Sequence, residues 1–271
     1  MTPHRTKRSA VRRRATPMFV TERDLDALVL VGLTRYLGAD QLARALFPNS
    51  DRCTRRARRL FDEGLLQKVV LSSRRPDLLA LTGKGIAFVE KRRPEVADRL
   101  RLAGPIRVAG VAHHRAVVDS RLYAAGVGEL RQAPLTRWSG AGDSAAAALA
   151  LAGLKPDGIA EFATADGPAT IAVECDLGSE TQRVLTSKFS RYRAAASSAA
   201  LDGLWVVAAG GPERLATVER LLSAAGLDEF GRVIPHGHTI RRPVEDLPPR
   251  TAPSGWADSP NMLLGGGQHG P

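Results

Sequence analysis

Three carboxylates and one lysine lie close together in the sequence between Pro156 and Tyr192. Asp157 precedes one hydrophobic run, and Glu174 and Asp176 end a second, β-rich run. Lys188 follows on a predicted helix. Carboxylate oxygens are the ligands that Mg²⁺ prefers, and a metal held by them can activate water and neutralise the charge of a scissile phosphate. These residue types in this order therefore point to phosphodiester chemistry.

The alternation of side chains along a strand places Glu174 and Asp176 on one face and Cys175 on the other. If the two hydrophobic runs pair as a hairpin across Ala165–Ala169, Asp157 lies near Glu174. Carboxylates at that separation repel each other unless a cation such as Mg²⁺, or Mn²⁺ in its place, lies between them. We therefore predict that Asp157, Glu174 and Asp176 hold a metal.

Lys188 shares a predicted helix face with residues that are mostly apolar: Thr181, Val184, Leu185 and Tyr192. An unpaired ammonium is costly to bury, so this lysine should contact the acids, and we predict a catalytic set of Asp157, Glu174 and Lys188. Glu180 is an accessory candidate, either as a further ligand or through the helix dipole. The spacing alone fits a structural Glu–Lys ion pair with surface aspartates equally well.

A second candidate site lies on a predicted helix from about Asp51 to Glu63. Four arginines fall at i, i+3, i+4 and i+7 and so share one face: Arg52, Arg55, Arg56 and Arg59. The opposite face is apolar: Cys53, Ala57, Leu60 and Phe61. Arginine can read guanine or hold phosphates, so we predict a helix that enters the major groove of double-stranded DNA. A solvated charged face, or a module that binds protein, is the alternative.

The elements around this helix predict a winged helix-turn-helix at residues 19–92. Thr21 begins a helix pair as its N-cap, with Asp24 three residues on, and Gly64 ends the third helix. Two strands follow, Leu65–Leu71 and Leu78–Leu81, and then a helix that opens at Thr82. Arg74 and Arg75 at the tip between the strands are predicted to reach an adjacent groove or the DNA backbone.

A second domain is predicted at residues 111–241, with the order αβββαβ and some additional elements. Its predicted elements are a helix at Val111–Ala125, a strand near Glu129–Trp138, a short helix at Ala145–Leu151, the two strands that carry the acids, a helix at about Glu180–Ser197, a strand at Leu204–Ala209, a helix at Pro212–Ala225 and a strand at Arg232–Pro235. Composition predicts a linker at 93–110, a disordered basic arm at 1–18 and a disordered tail at 242–271.

The positive charge of the chain, +11 in total, is concentrated in its first part. Residues 1–110 hold 24 of the 39 Lys and Arg residues but 11 of the 28 Asp and Glu residues. This one-sided excess predicts a polyanionic partner for the N-terminal region. Two cysteines, no apolar stretch of about 18 residues and no signal-peptide pattern predict a reduced, cytoplasmic protein without a membrane span.

The acid segment resembles the PD-(D/E)xK nuclease-like fold, with Pro156-Asp157 as the PD and Glu174-x-Asp176 as the second element. Asp176 stands where that pattern has its lysine, and Lys188 resembles the lysine that has moved to the next helix in some branches. With the preceding winged helix and His113-His114-Arg115 on a linking helix, the chain resembles the replication-relaxation family. That resemblance makes His114 and Tyr192 accessory candidates.

The resemblance implies a mixed α/β fold with a restriction-endonuclease-like domain and a DNA-binding protein of a plasmid, phage or other mobile element. It implies a role in DNA replication, relaxation or maintenance, and leaves metal-dependent nicking by Asp157, Glu174 and Lys188 open. One alternative is a non-catalytic regulator whose second domain serves for dimerisation or for contacts with replication proteins. Another is a transcriptional repressor that uses the winged helix alone.

Overall fold

The computed structural model of the chain describes residues 19–70, 78–140, 149, 153–196 and 201–240. The chain forms two units, the first ending at Val118 and the second beginning at Asp119. The predicted arm, wing tip and tail, with Arg74 and Arg75, lie outside the described residues, as does most of the predicted short helix at 145–151. The predicted domain limits stay a prediction.

The first unit contains helices and short strands. The elements are α1 (Glu22–Thr34), β1 (Leu37–Gly38), α2 (Ala39–Leu46), α3 (Ser50–Asp62), β2 (Leu66–Val69), β3 (Leu78–Leu81) and α4 (Gly83–Arg92). Two 3-10 helices, Pro94–Arg99 and Val108–Gly110, follow in the predicted linker. The helices and strands predicted for this unit are present in its described residues, and the two-residue strand β1 is an addition that no sequence pattern indicated.

The helix ends follow from local capping chemistry. The Thr21 hydroxyl accepts from the Asp24 backbone N–H at 3.3 Å, and the Thr21 N–H donates to the Asp24 carboxylate at 2.8 Å. This reciprocal pair is the predicted capping box. The Asn49 side chain caps α3 by accepting from the Arg52 N–H. Gly64, with a φ of +69°, follows the end of α3 in the left-handed region that glycine adopts without steric cost.

The small sheet of the first unit is antiparallel, in the order β1-β3-β2. Its central strand β3 is buried at all four residues, and Leu79 pairs with Leu37 on one side and Lys68 on the other. Because β3 is covered on both faces, it consists of apolar residues only. Three helices and the two predicted strands occur in the predicted order, and the identification of this unit as a winged helix-turn-helix stays a prediction.

The second unit is built on a larger sheet flanked by helices. Its elements are α5 (Val111–Leu130, which begins in the first unit), β4 (Leu135–Gly140), β5 (Gly158–Thr164), β6 (Gly167–Asp176), α6 (Gln182–Ala196), β7 (Gly203–Ala208), α7 (Pro212–Ala224), β8 (Gly231–Pro235) and α8 (His236–Ile240). Within the described ranges, no helix is long and apolar enough to cross a lipid bilayer.

The five strands lie in chain order from β4 to β8. Strands β4, β5 and β6 are antiparallel, and β6, β7 and β8 are parallel. The predicted mixed α/β class is therefore confirmed, and the predicted αβββαβ order is present. A core on one side of the sheet joins β5, β6 and β7 to α6 and α7, with Phe189, Tyr192, Leu204 and Val218 at its centre.

The boundary between α5 and β4 differs from the sequence prediction. The predicted strand at Glu129–Trp138 starts only at Leu135, because α5 continues to Leu130. The buried residues Ala124 and Val127 extend its apolar face by another turn. The helix ends in a turn in which Gln132 has a φ of 56°. The apolar stripe of α5 and the short strand β4 are thus close together in sequence, and the hydrophobic pattern alone did not show where the helix ends.

Candidate functional site

Asp157 and Glu174 lie side by side because β5 and β6 form a hairpin. Gly158 pairs with Val173 in antiparallel register, so Asp157, which precedes Gly158, is opposite Glu174, which follows Val173. The turn is Ala165–Asp166, tighter than the predicted connection. One oxygen of the Asp157 carboxylate accepts from the Cys175 backbone N–H at 2.8 Å. The predicted approach of these two acids is thus present in the structure.

Gly158, the first residue of β5, leaves room for an indole ring. A Cβ atom at this position would overlap the ring of Trp138 on the neighbouring strand β4. Cys175, between the two acids of β6, faces the other side of the sheet, where its sulfur lies 3.4 Å from the Ser120 hydroxyl of α5. Burial raises the pKa of Cys175 to about 12, so it remains a neutral thiol.

Glu174 is a buried carboxylate held by two donors from α6. The Tyr192 hydroxyl donates to Oε1 at 2.6 Å, and the Lys188 ammonium donates to Oε2 at 2.9 Å. Glu174 is 4% exposed and Tyr192 is fully buried. Helical spacing of four residues stacks Lys188 and Tyr192 on the sheet-facing side of α6, as predicted. A buried carboxylate held by two donors has a fixed orientation.

Burial dominates the electrostatics of this cluster. It raises the pKa of Glu174, and the nearby Asp157 charge adds to the effect, although Lys188 opposes it. Burial disfavours the Lys188 ammonium, but the carboxylates of Glu174 and Glu180 outweigh that cost and raise its pKa. Burial beside Glu174 also raises the pKa of Tyr192, so its hydroxyl stays protonated and can only donate to the carboxylate.

Glu180 is the second partner of Lys188. Its Oε1 accepts from the ammonium at 2.8 Å, so Lys188 bridges two carboxylates. Its Oε2 is buried and has no hydrogen-bond partner within the described part of the chain. The Glu180 carbonyl accepts from Arg214 of α7 at 2.8 Å, which fixes the connection between β6 and α6. Glu180 therefore belongs to the cluster as a partner of Lys188, and its predicted roles as a further ligand or through the helix dipole stay predictions.

Contrary to the prediction, Asp176 does not take part in this cluster. Its Oδ2 accepts from Arg214 Nε at 2.8 Å, and its Oδ1 accepts from the Gly178 N–H at 2.9 Å. At 2% exposure the carboxylate is buried, and the guanidinium balances its charge. The predicted alternation along β6 is present. The cation beside Asp176 comes from α7, whereas the cation beside Glu174 comes from α6.

The three-acid metal set of the sequence prediction is therefore not assembled. Among the described residues, no three His, Cys, Asp or Glu side chains are grouped so that they could hold a metal ion. Asp157 and Glu174 remain as an adjacent pair of hard oxygen donors. Such a pair fits Mg²⁺, which is usually held by one or two carboxylates together with water and substrate phosphates.

The arginines of α3 divide into two kinds. Arg52, Arg55 and Arg59 are exposed, as predicted for a DNA-contacting face. Arg56 instead donates from Nε to Asp24 at 2.7 Å, and its second nitrogen donates to the other oxygen of the same carboxylate. Burial opposes ionisation of Asp24, but hydrogen bonds from Arg56 and Thr21 outweigh it and lower its pKa. The prediction that all four arginines face outward is corrected at Arg56.

His114 is engaged inside the first unit. Its Nε2 donates to the Tyr36 carbonyl at 2.9 Å, and its ring meets the Tyr36 ring edge-on with centroids 5.6 Å apart. Burial is the main cause that lowers its pKa, so the imidazole is a neutral packing element. An accessory role for His114 in phosphodiester chemistry has no support in these contacts.

Three functional candidates were missed from the sequence: Asp24, Arg58 and Arg214. Asp24 was read only as part of a cap, although a buried acid in a helix signals a cationic partner. Arg58 is exposed on α3 and lines the same groove as the predicted arginines. Arg214 lies 38 residues from Asp176, and no local pattern connects residues at that separation.

Comparison with known proteins places the chain in a family. A model of the replication-relaxation family matches residues 28–203. No curated protein matches the chain in sequence. Among solved structures, the restriction endonuclease FokI is similar to this chain at 12% sequence identity and a TM-score of 0.31. The alignment covers 83% of this chain and 45% of the FokI chain. A likeness at that level says nothing about activity. The family match covers well over half of the sequence, so the chain belongs to the replication-relaxation family.

Proposed function

We propose that this protein binds double-stranded DNA and acts in the replication, relaxation or maintenance of a plasmid, phage or other mobile element. The exposed arginines of α3, in a chain of this family, are the observation that carries the proposal. They line an open groove of about 840 Å³ between α3 and the start of α1. Six arginines and three acids line it, so the groove has an excess of positive charge.

Such a groove suits the sugar–phosphate backbone. Each guanidinium that neutralises a phosphate releases a counterion, so affinity should fall steeply with salt. Phosphate contacts set the register of a helix on DNA, and one or two arginines can then reach base edges. A winged helix-turn-helix would use α3 in this way, with the predicted wing at its side.

The test is the salt dependence of binding to a fluorescein-labelled duplex, measured by anisotropy. Removing Arg55 and Arg59 together (R55A/R59A) should weaken binding and flatten the log–log salt slope by about 1.8, because two phosphate contacts are lost. The matched control is K91A/R107A, which removes two exposed charges of the same unit that lie outside α3 and do not line the groove. Equal affinity of R55A/R59A and the unsubstituted protein would reject this interface.

A second candidate function is metal-dependent DNA nicking by the second unit. The convergence of Asp157, Glu174 and Lys188 at the ends of two neighbouring strands favours it. Mg²⁺ held by Asp157 and Glu174 would supply Lewis-acid activation of water and of the scissile phosphate. Lys188 would then stabilise developing negative charge, while Tyr192 keeps the Glu174 carboxylate oriented.

A purified-protein assay on supercoiled and linear DNA with Mg²⁺ or Mn²⁺ tests this candidate. Nicking should be lost in Asp157→Ala and Glu174→Ala, and retained in Asp166→Ala, which changes an exposed acid at the hairpin turn. Nicking that survives both site variants would remove these residues from the chemistry. DNA binding without nicking or divalent-metal binding would favour the non-catalytic regulator, in which the second unit binds a partner or a second copy.

A further inference from the structure

The groove beside α3 contains five arginines of that helix, and they differ in what they contact. The guanidinium groups of four of them are exposed and make no hydrogen bond or ion pair to another described residue: Arg52, Arg55, Arg58 and Arg59. The fifth, Arg56, is bound to Asp24 through two nitrogens. The same second nitrogen of Arg56 also donates to the Phe19 carbonyl at 3.3 Å.

The position of Arg56 on the helix explains this difference. Cys53 and Leu60, three residues before and four residues after it, are both buried. Residues at those spacings lie on one side of a helix, so Arg56 borders the packed face. Arg58, by contrast, is two residues from Leu60, about 160° around the helix, and points to the open side.

The Asp24 carboxylate accepts hydrogen bonds from both Thr21 and Arg56. It is fully buried, and Thr21 contributes its hydroxyl at 2.6 Å and its backbone N–H at 2.8 Å to the same carboxylate oxygen. The carboxylate that closes the capping box of α1 is therefore also the anchor of α3. Asp24 matches the charge of Arg56, and Asp24 and the Phe19 carbonyl together engage its Nε and one terminal nitrogen, so Arg56 has fewer N–H groups left to offer a phosphate.

Building on the proposed DNA binding, we propose that Arg52, Arg55, Arg58 and Arg59 are the phosphate-contacting set of α3. Arg56 is a positioning residue, and the Thr21–Asp24–Arg56 unit sets the orientation of α3 on α1. Arg58 is thereby a DNA contact that the i, i+3, i+4, i+7 pattern does not include. These four arginines contact four phosphates of a duplex. The predicted i, i+3, i+4, i+7 set does not act as a whole in binding DNA.

The experiment is the salt slope of duplex binding for three variants beside the unsubstituted protein. Arg58→Ala and Arg55→Ala should each flatten the slope by about 0.9, the loss of one phosphate contact. The double variant D24N/R56Q replaces the ion pair by two amides that can hydrogen-bond. It should give a line parallel to that of the unsubstituted protein and displaced to weaker affinity, because α3 is less firmly oriented while its contacts remain.

A flatter slope for D24N/R56Q would overturn the proposal, since Arg56 would then be a contact. A superimposed line would also overturn it, since the pair would then not position α3. Failure of R55A/R59A to weaken binding rejects the DNA interface itself, so the two failures are distinguishable. If D24N/R56Q does not fold, phenylglyoxal modification of the unsubstituted protein tests whether Arg56 contacts DNA.

In the modification experiment, sites are mapped by mass spectrometry with and without duplex DNA. The proposal predicts that Arg52, Arg55, Arg58 and Arg59 react in the free protein and are protected by DNA. Arg56 should resist the reagent in both states, because Asp24 occupies its guanidinium. Rapid reaction of Arg56 in the free protein, followed by protection with DNA, would overturn the assignment.

Discussion

The Tyr192 hydroxyl donates a 2.6 Å hydrogen bond to Oε1 of Glu174 inside the second unit. The tyrosine comes from α6 and the glutamate from β6, so this bond joins the helix to the centre of the sheet. Both residues are buried, so the hydrogen bond is shielded from bulk water. The orientation of the candidate site and the stability of the unit therefore depend on the same contact.

Replacing Tyr192 by Phe should lower the free energy of unfolding of the second unit by about 2 kcal/mol, because a buried carboxylate loses a donor. Trp138 and Trp205 lie in that unit and the first unit contains no tryptophan, so urea unfolding followed by tryptophan fluorescence reports on the second unit. Ser190→Ala, on the exposed side of α6, is the control and should change little. An equally stable Tyr192→Phe variant would contradict the role assigned to this bond.

The raised pKa of Glu174 predicts a pH dependence of stability. A carboxyl whose folded pKa lies above its unfolded value of 4.5 contributes stability below that pH. The contribution is lost as pH rises through the folded pKa, because the buried charge must then be formed. Relative to Glu174→Gln, the unsubstituted protein should lose stability from about pH 4.5 upward and then level off. Urea unfolding of both proteins across this range checks it, and a relative gain would indicate a lowered pKa.

Replacing Lys188 by Met should destabilise the second unit by about 3 kcal/mol, because two carboxylates lose the cation between them. Lys188 donates to Glu174 and Glu180 at 2.9 and 2.8 Å. Lys155→Met, at an exposed site of the same unit, is the matched control and should stay within about 0.5 kcal/mol. If both variants unfold at the same urea concentration, the bridge contributes nothing to the fold.

The Asp176–Arg214 pair should behave as a coupled unit. Arg214→Met alone should cost about 3 kcal/mol by leaving Asp176 buried without a cation. Adding Asp176→Asn should recover part of this loss, giving a coupling free energy of roughly 1–2 kcal/mol in a double-mutant cycle. Arg220→Met, on the exposed side of α7, serves as the control. Additive effects of the two changes would argue against a direct pair.

Much of the fold could be predicted because its signals are local. The capping box at Thr21, the glycine after α3 and the strand at Leu78–Leu81 each occupy a few consecutive residues. The approach of Asp157 to Glu174 was also predictable, since a hairpin brings neighbouring strands together in register. The start of β4 was not, because a helical stripe runs directly into it and tertiary packing decided where α5 ends.

The candidate site was predicted less completely because its partners come from distant parts of the chain. Spacing indicated that Lys188 needs an anion, but it did not indicate that Glu180 would share the lysine with Glu174. Asp176 was assigned to a metal because strand alternation places it on the same face as Glu174. Arg214, the residue that neutralises Asp176, enters from a later helix.

The sequence by itself determined the order of the elements, the faces of β6 and α6, and the concentration of positive charge in the first part of the chain. These depend on periodicity and composition, which are read along the chain. Only the tertiary structure decided which cation meets which acid: Lys188 with Glu174, Arg214 with Asp176, and Arg56 with Asp24. A buried charge takes the partner that lies nearest in space, and folding sets that distance across 14 to 38 residues of sequence.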